Sequence, residues 1–399
     1  MHRKFYRKVL KNGLTIIFEN RNLPVVSVGI AFRYGGVNES ASERGISHFI
    51  EHMLYKGTKN RTSSQISGEI EKNGGVMNGF TDEEITTFWC KIPSDKLYTA
   101  LDVLSDMVKN PLFDVKEMEK ERKVIFEEMK MDYDNPQKYV LDQIQGLLYE
   151  KPLGIPLIGT HKTMNSIDRE KLVKRFQDAY KPNNMILCIV GQADFSEIVK
   201  FAENNFGKGK SRINKQKITL KNREKIEKRK GIDQANVVLA FHSPFSTDKK
   251  IYASKVLMAI MTYGMSSRLF REIREKRNLA YAIFGDINAN KDFSYSYIYV
   301  GTAKEKLEEN KKIILDEFRK VANELTEKEL ESTKNQLMGN YKISMENSEI
   351  QMNFLLFYEI DREVKEFYDF EKNIRAVKLK DVKKLAKIRK YSFFALVPE

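Results

Sequence analysis

The sequence predicts a protein of two similar domains, each mixing strands with helices, and three observations carry that expectation. The chain has 399 residues, which suits two domains of ordinary size better than one. Strand-like and helix-like periods interleave along it. A faint but ordered repeat relates the two halves on either side of a basic segment.

In the first half, Asn12-Gly13 leads into a strand over residues 14–18, and β-branched residues mark another over 25–32. GISHFIEHMLYKGT, residues 45–58, follows the turn-like Gly35-Gly36 and Asn38-Glu39-Ser40 and closes at Gly57, so one short helix is expected. Residues 63–72 have an amphipathic helical pattern that Gly74-Gly75 ends. VMNGFTDEEITTFWCKIP then reads as two strand-like pieces around Asp82-Glu83-Glu84. Residues 97–108 show helical spacing, and 116–131 form a long charged helix stopped at Asp134-Asn135-Pro136. A Gly- and Pro-rich loop over 153–160 and a buried strand over 185–190 complete the half.

Residues 207–230 are dominated by Lys and Arg and lack a continuous apolar pattern. They are expected to link an N-terminal domain, 1–206, to a C-terminal domain, 231–399. Ser63-Ser64 with Glu69-Ile70 recurs as Ser266-Ser267 with Glu272-Ile273, and VSVGIAF at Val26 has a counterpart in NVVLAF at Asn236. A helical stretch closes each pattern, over 97–108 and 307–321. Ser294 and Ser296 alternate with Tyr295, Tyr297 and Tyr299, a strand whose aromatic face is expected to pack.

Composition narrows the function classes. The net charge of +14 comes from Lys spread over helix surfaces and one linker, without a basic stripe interleaved with stacking aromatics, so no nucleic-acid partner is expected. No apolar run reaches the length of a membrane span, and the basic opening lacks the apolar core of a secretory signal. Cys90 and Cys188 both lie in apolar strand-like runs, which suits buried thiols and a reducing cytoplasmic location.

What does not recur between the halves is the chemistry. His48, Glu51 and His52 stand at i, i+3 and i+4, on one helical face. Two imidazoles on adjacent turns can hold one zinc ion, and a carboxylate between them can take a proton from a metal-activated water. The corresponding stretch 252–261 has no His or acidic residue. A two-His site needs a third protein ligand. His2, His161 and His242 lie in tail, loop and strand-end contexts, whereas Glu121 and Glu128, two helical turns apart on one face, both remain candidates.

HFIEH at His48 together with ERKVIFEE ending at Glu128 resembles the pitrilysin/insulinase-type zinc metallopeptidases with their inverted His-x-x-Glu-His motif. GGVMNGFTDEEIT and MSSRLFREIREKRNLAY resemble two further family segments, and the likeness spans both halves. It implies an α+β fold of two similar domains, each an antiparallel-rich sheet with helices packed on it, together forming one half of a clam-shell peptidase. It also implies one zinc per chain on His48, His52 and Glu128, Glu51 as general base, and Glu121 as a supporting carboxylate. Asn78, Gly79, Phe80 and Thr81 would lie on an edge strand that pairs with an extended, unfolded peptide. Gly79 departs from the family's usual Ala.

Arg274 and Tyr281 match the family pair that holds the substrate backbone or stabilises the tetrahedral intermediate. Without the resemblance they would read as an ion pair within REIREKR and a core aromatic. A half-size chain implies a dimer, most simply a homodimer with shared active sites. Asp82-Glu83-Glu84 is either a solvated turn or a feature favouring basic peptides. The competing function is a non-catalytic peptide-binding or scaffold subunit of a heterodimeric peptidase.

Overall fold

A computed structural model describes residues 4–399, so His2 lies outside the described residues. The first half runs β1 (Lys4–Val9), β2 (Thr15–Asn20), β3 (Val25–Phe32), α1 (Ile46–Leu54), α2 (Ser63–Glu71), β4 (Val76–Thr81) and β5 (Thr86–Pro93). It continues through α3 (Leu97–Lys109), α4 (Val115–Asp134), α5 (Pro136–Leu148), α6 (His161–Ser166), α7 (Arg169–Ala179), β6 (Met185–Gly191) and α8 (Phe195–Asn205). The second half holds β7 (Glu224–Arg229), β8 (Ala235–His242), α9 (Ile251–Thr262), β9 (Ala280–Ala289) and β10 (Ser294–Thr302). Helices α10 (Leu307–Glu324), α11 (Glu327–Ser344) and α12 (Ser348–Asp361) and strand β11 (Ser392–Pro398) follow.

Two compact units emerge, and neither is continuous in sequence. The first comprises the chain to Met129, Leu157–Lys217 and Ser344–Ile360; the second comprises Lys130–Pro156, Ile218–Ile343 and Asp361–Glu399. The contiguous division at 207–230 therefore needs correction. A sheet has two faces to cover, and in each unit one covering helix comes from the other half of the chain. In the first unit Val26, Val28, Ile30 and Phe32 of β3 enter the core with α3, while Ser27 bonds Ser348 at the start of α12 at 2.9 Å. Glu359 of α12 accepts hydrogen bonds from Arg7 at 2.7 Å and Arg33 at 3.1 Å. In the second unit α5 packs on β8 and β11. Helix α5 is not among the elements expected from sequence, although Asn135 caps it and Pro136 begins it.

The repeat is far clearer in the sheets than in the sequence. The first sheet runs β1-β2-β6-β3-β5-β4 and the second β7-β11-β8-β10-β9. In each, one parallel pair (β2 with β6, β7 with β11) is followed by three antiparallel pairings. Strand β7 falls inside the expected linker because its sequence, EKIEKR, is polar, as suits an edge with one neighbour. Tyr299 is buried and its hydroxyl donates to Asn236 at 2.7 Å, so the aromatic face of β10 does pack. Cys90 and Cys188 are free, buried thiols, and among the described residues no helix is long and apolar enough to cross a membrane.

Candidate metal centre

The site is built on α1, which is held in place before its first turn. Gly45 sits at φ 98°, a left-handed conformation that costs other residues energy, and carbonyl Ile158 lies 2.6 Å from where a Cβ would stand. The Glu39 carboxylate accepts the N–H groups of Gly45 at 3.0 Å and Ser47 at 2.7 Å, meeting the unpaired donors of the helix start. Arg44, fully buried, lies between Glu39 at 3.6 Å and Glu83, to which it donates at 3.0 Å. Ile46, Phe49, Ile50, Met53 and Leu54 form the buried face of α1, which leaves His48, Glu51 and His52 along its polar side. That division of the short helix is the helical period read directly from sequence.

Helix α4 brings Glu128 beside the two imidazoles. Met118, Glu121 and Ile125 are buried along one stripe, and Glu128 extends it by another turn. Arg122 ties the helix down, donating to the carbonyls of Met164 and Ile167 and lying over the Phe49 ring of α1 at 5.2 Å. Glu128 Oε2 then lies 3.8 Å from His48 Nε2 and 3.5 Å from His52 Nε2, and the two Nε2 atoms are 3.3 Å apart.

These separations test whether the residues fit zinc. Tetrahedral coordination at the usual Zn–N and Zn–O lengths places ligand atoms roughly 3.3–3.5 Å apart, close to the spacing observed. The donor set, two imidazoles and one carboxylate, is one that catalytic zinc uses, and it leaves a fourth position open. The spacing that left Glu121 and Glu128 as alternatives is resolved by position. Glu128 joins the cluster, while Glu121 Oε2 lies 3.1 Å from Nδ1 of His52, the nitrogen on the far side of the ring, and Lys56 donates to Glu121 Oε1 at 2.8 Å. A carboxylate there sets the tautomer and orientation of a ligating imidazole.

Glu51 is buried beside the cluster, and Thr81 Oγ1 donates to its Oε2 at 2.6 Å. Burial pushes its carboxyl above the usual carboxylate range, against the opposing effect of that hydrogen bond. Thr81 belongs to β4, which carries Asn78, Gly79 and Phe80 as well and forms one end of the six-stranded order, paired only with β5. The side chain of Thr81 is thus engaged by Glu51, and Phe80 stacks near Phe357 at 6.0 Å between centroids. Arg274 and Tyr281 belong to the second unit. Tyr281, 71% exposed at the start of β9, is no core aromatic. Arg274 lies over the Phe270 ring, while Lys276 and Arg277 are the cations that pair with Glu272.

The acidic turn needs correction. Glu83 and Glu84 are buried, the first paired with Arg44 and the second accepting from Lys215 at 2.9 Å. Burial also pushes the Asp82 carboxyl up to about 6. These charges serve the fold, and neither a solvated turn nor a preference for basic peptides follows from them. Glu39 and Arg44 were missed by sequence reasoning, although an acidic residue just before a helix start is a recognisable capping signal.

Fold and site define a two-unit α+β protein in which, among the described residues, one cluster able to hold a metal ion lies in the first unit. An insulinase (peptidase family M16) domain model matches residues 15–161, and a peptidase M16 inactive-domain model matches 166–337. An uncharacterized zinc protease of Rickettsia felis is 32% identical over 370 residues, covering 90% of this chain and 89% of that protein. One from Bacillus subtilis is 32% identical over 355 residues, covering 87% and 86%. A protease from Helicobacter pylori shares the fold with a TM-score of 0.92 at 22% identity, over 99% of this chain and 100% of that one. This chain belongs to the M16 (insulinase) peptidase family, in its half-size form.

Proposed function

We propose that this protein is a zinc-dependent endopeptidase that hydrolyses unfolded peptides. The convergence of His48, His52 and Glu128 beside a buried, hydrogen-bonded Glu51 is the observation that carries the reading. His48, His52 and Glu128 would hold the zinc, which when bound would supply a Lewis acid for the scissile carbonyl and lower the pKa of water. Glu51 takes the proton of the attacking water and returns it to the leaving amine, as a positioned carboxylate can. Thr81 fixes one Glu51 oxygen and Glu121 orients His52. The free edge of β4 offers backbone groups to an extended peptide. A cytoplasmic setting, supported by the two buried thiols, belongs to the same reading.

Zinc-loaded protein is expected to cleave an unstructured, internally quenched peptide, to stop when a chelator strips the metal, and to recover when zinc is returned. One zinc per chain with no cleavage would favour the scaffold reading instead.

The family resemblance further supports a homodimer in which Arg274 and Tyr281 of one copy serve the metal centre of the other, with Tyr281 donating to the developing oxyanion. Mixing a Glu51→Gln chain with an Arg274→Ala, Tyr281→Phe chain should then yield cleavage that neither shows alone. A mixture no more active than its better component rejects sharing.

A further inference from the structure

We propose that Tyr55 is a positioning residue for Glu51, its hydroxyl seated in the space that the absent side chain of Gly79 leaves beside the Glu51 carboxylate. The role rests on the peptidase reading above. Tyr55 follows Leu54 at the end of α1, four residues after Glu51, so both side chains lie on one side of the helix. Gly79 and Thr81, two apart on β4, share a face of that strand. Thr81 holds Glu51 Oε2 at 2.6 Å.

The other oxygen faces Gly79. A Cβ built there would stand 3.3 Å from Glu51 Oε1, 2.7 Å from the Tyr55 hydroxyl and 3.0 Å from the carbonyl of Thr87. The space of one methyl group therefore borders both Tyr55 Oη and Glu51 Oε1, and an alanine would displace the hydroxyl. That hydroxyl is buried and makes no hydrogen bond to any described residue. A buried donor without an acceptor is unfavourable, and the carboxylate oxygen across the same void is the charged acceptor within reach, directly or through one water. With Thr81 already at Oε2, a hydrogen bond from Tyr55 to Oε1, direct or through one water, would hold Glu51 from both sides. A base restrained in this way meets the attacking water with less reorganisation.

The geometry also explains why glycine suits position 79 when tyrosine occupies position 55. Each makes room for the other, so the two substitutions Gly79→Ala and Tyr55→Phe should compensate in packing but not in catalysis.

Four zinc-loaded proteins test this: wild type, Tyr55→Phe, Gly79→Ala and the double variant, each assayed for peptide cleavage and for thermal melting. Tyr55→Phe should lower kcat about five- to tenfold, the worth of one hydrogen bond, with KM and zinc content unchanged and no fall in melting midpoint. Gly79→Ala should lower both kcat and the midpoint. Adding Tyr55→Phe to Gly79→Ala should restore the midpoint while kcat stays at the level of Tyr55→Phe. Wild-type kcat in Tyr55→Phe, or melting effects that simply add, would overturn the role. If wild type itself cleaves nothing, the peptidase reading falls and this role falls with it, a result distinct from an active wild type whose Tyr55→Phe variant is equally active.

Discussion

Replacing Glu51 by Gln is expected to lower kcat by about 10²–10⁴-fold, the usual worth of a positioned general base, while one zinc ion per chain remains bound. Glutamine keeps the shape of the side chain, and its carbonyl oxygen can accept the Thr81 hydroxyl as the carboxylate does. It cannot take a proton. The proposed ligands His48, His52 and Glu128 are untouched, so zinc content by metal analysis should match wild type. Burial already disfavours the charged carboxylate, so a neutral isostere should cost no thermal stability. KM should change little, because the lost interaction develops in the transition state. Activity within about twofold of wild type, at equal zinc content, would place the base elsewhere.

Arg44→Met should be the most destabilising substitution near the site. The guanidinium is fully buried between Glu39 and Glu83, and removing it strands two carboxylates away from water. Breaking a buried ion pair from one side costs about 3–5 kcal/mol. For a unit of this size that corresponds to a fall of roughly 10 °C in the melting midpoint. The effect should reach the metal as well, because Glu39 caps α1 and a displaced Glu39 loosens the helix that carries His48 and His52. A midpoint within about 2 °C of wild type would show that the two carboxylates find other partners or take up protons at little cost.

Legibility followed how local each feature is. His48, Glu51 and His52 could be read because three residues within five positions share a helical face by geometry alone. The strand at 25–32 and the helices beginning at Ser63 and Leu97 could be read for the same reason, since each carries its own period. Glu128 was one of two candidates, because a two-turn spacing places both Glu121 and Glu128 on one face without saying which imidazole nitrogen each meets. Strand β7 was read as linker because an edge strand with one neighbour can be wholly polar. The acidic turn was read as solvated or as favouring basic peptides because the partners of Glu83 and Glu84, Arg44 and Lys215, lie far away in sequence.

The sequence by itself determined the two-fold repeat, the helix face shared by His48, Glu51 and His52, and the absence of a matching His-Glu-His pattern in the second half, because all three rest on short-range spacing. Spacing left Glu121 and Glu128 as alternatives and the family resemblance separated them; the tertiary structure places Glu128 beside the two imidazoles and Glu121 against Nδ1 of His52. It alone showed that α5 and α12 cross to the sheet of the other half, and that the void at Gly79 receives the Tyr55 hydroxyl. Those outcomes depend on which buried groups meet across elements distant in the chain, and no local period encodes that.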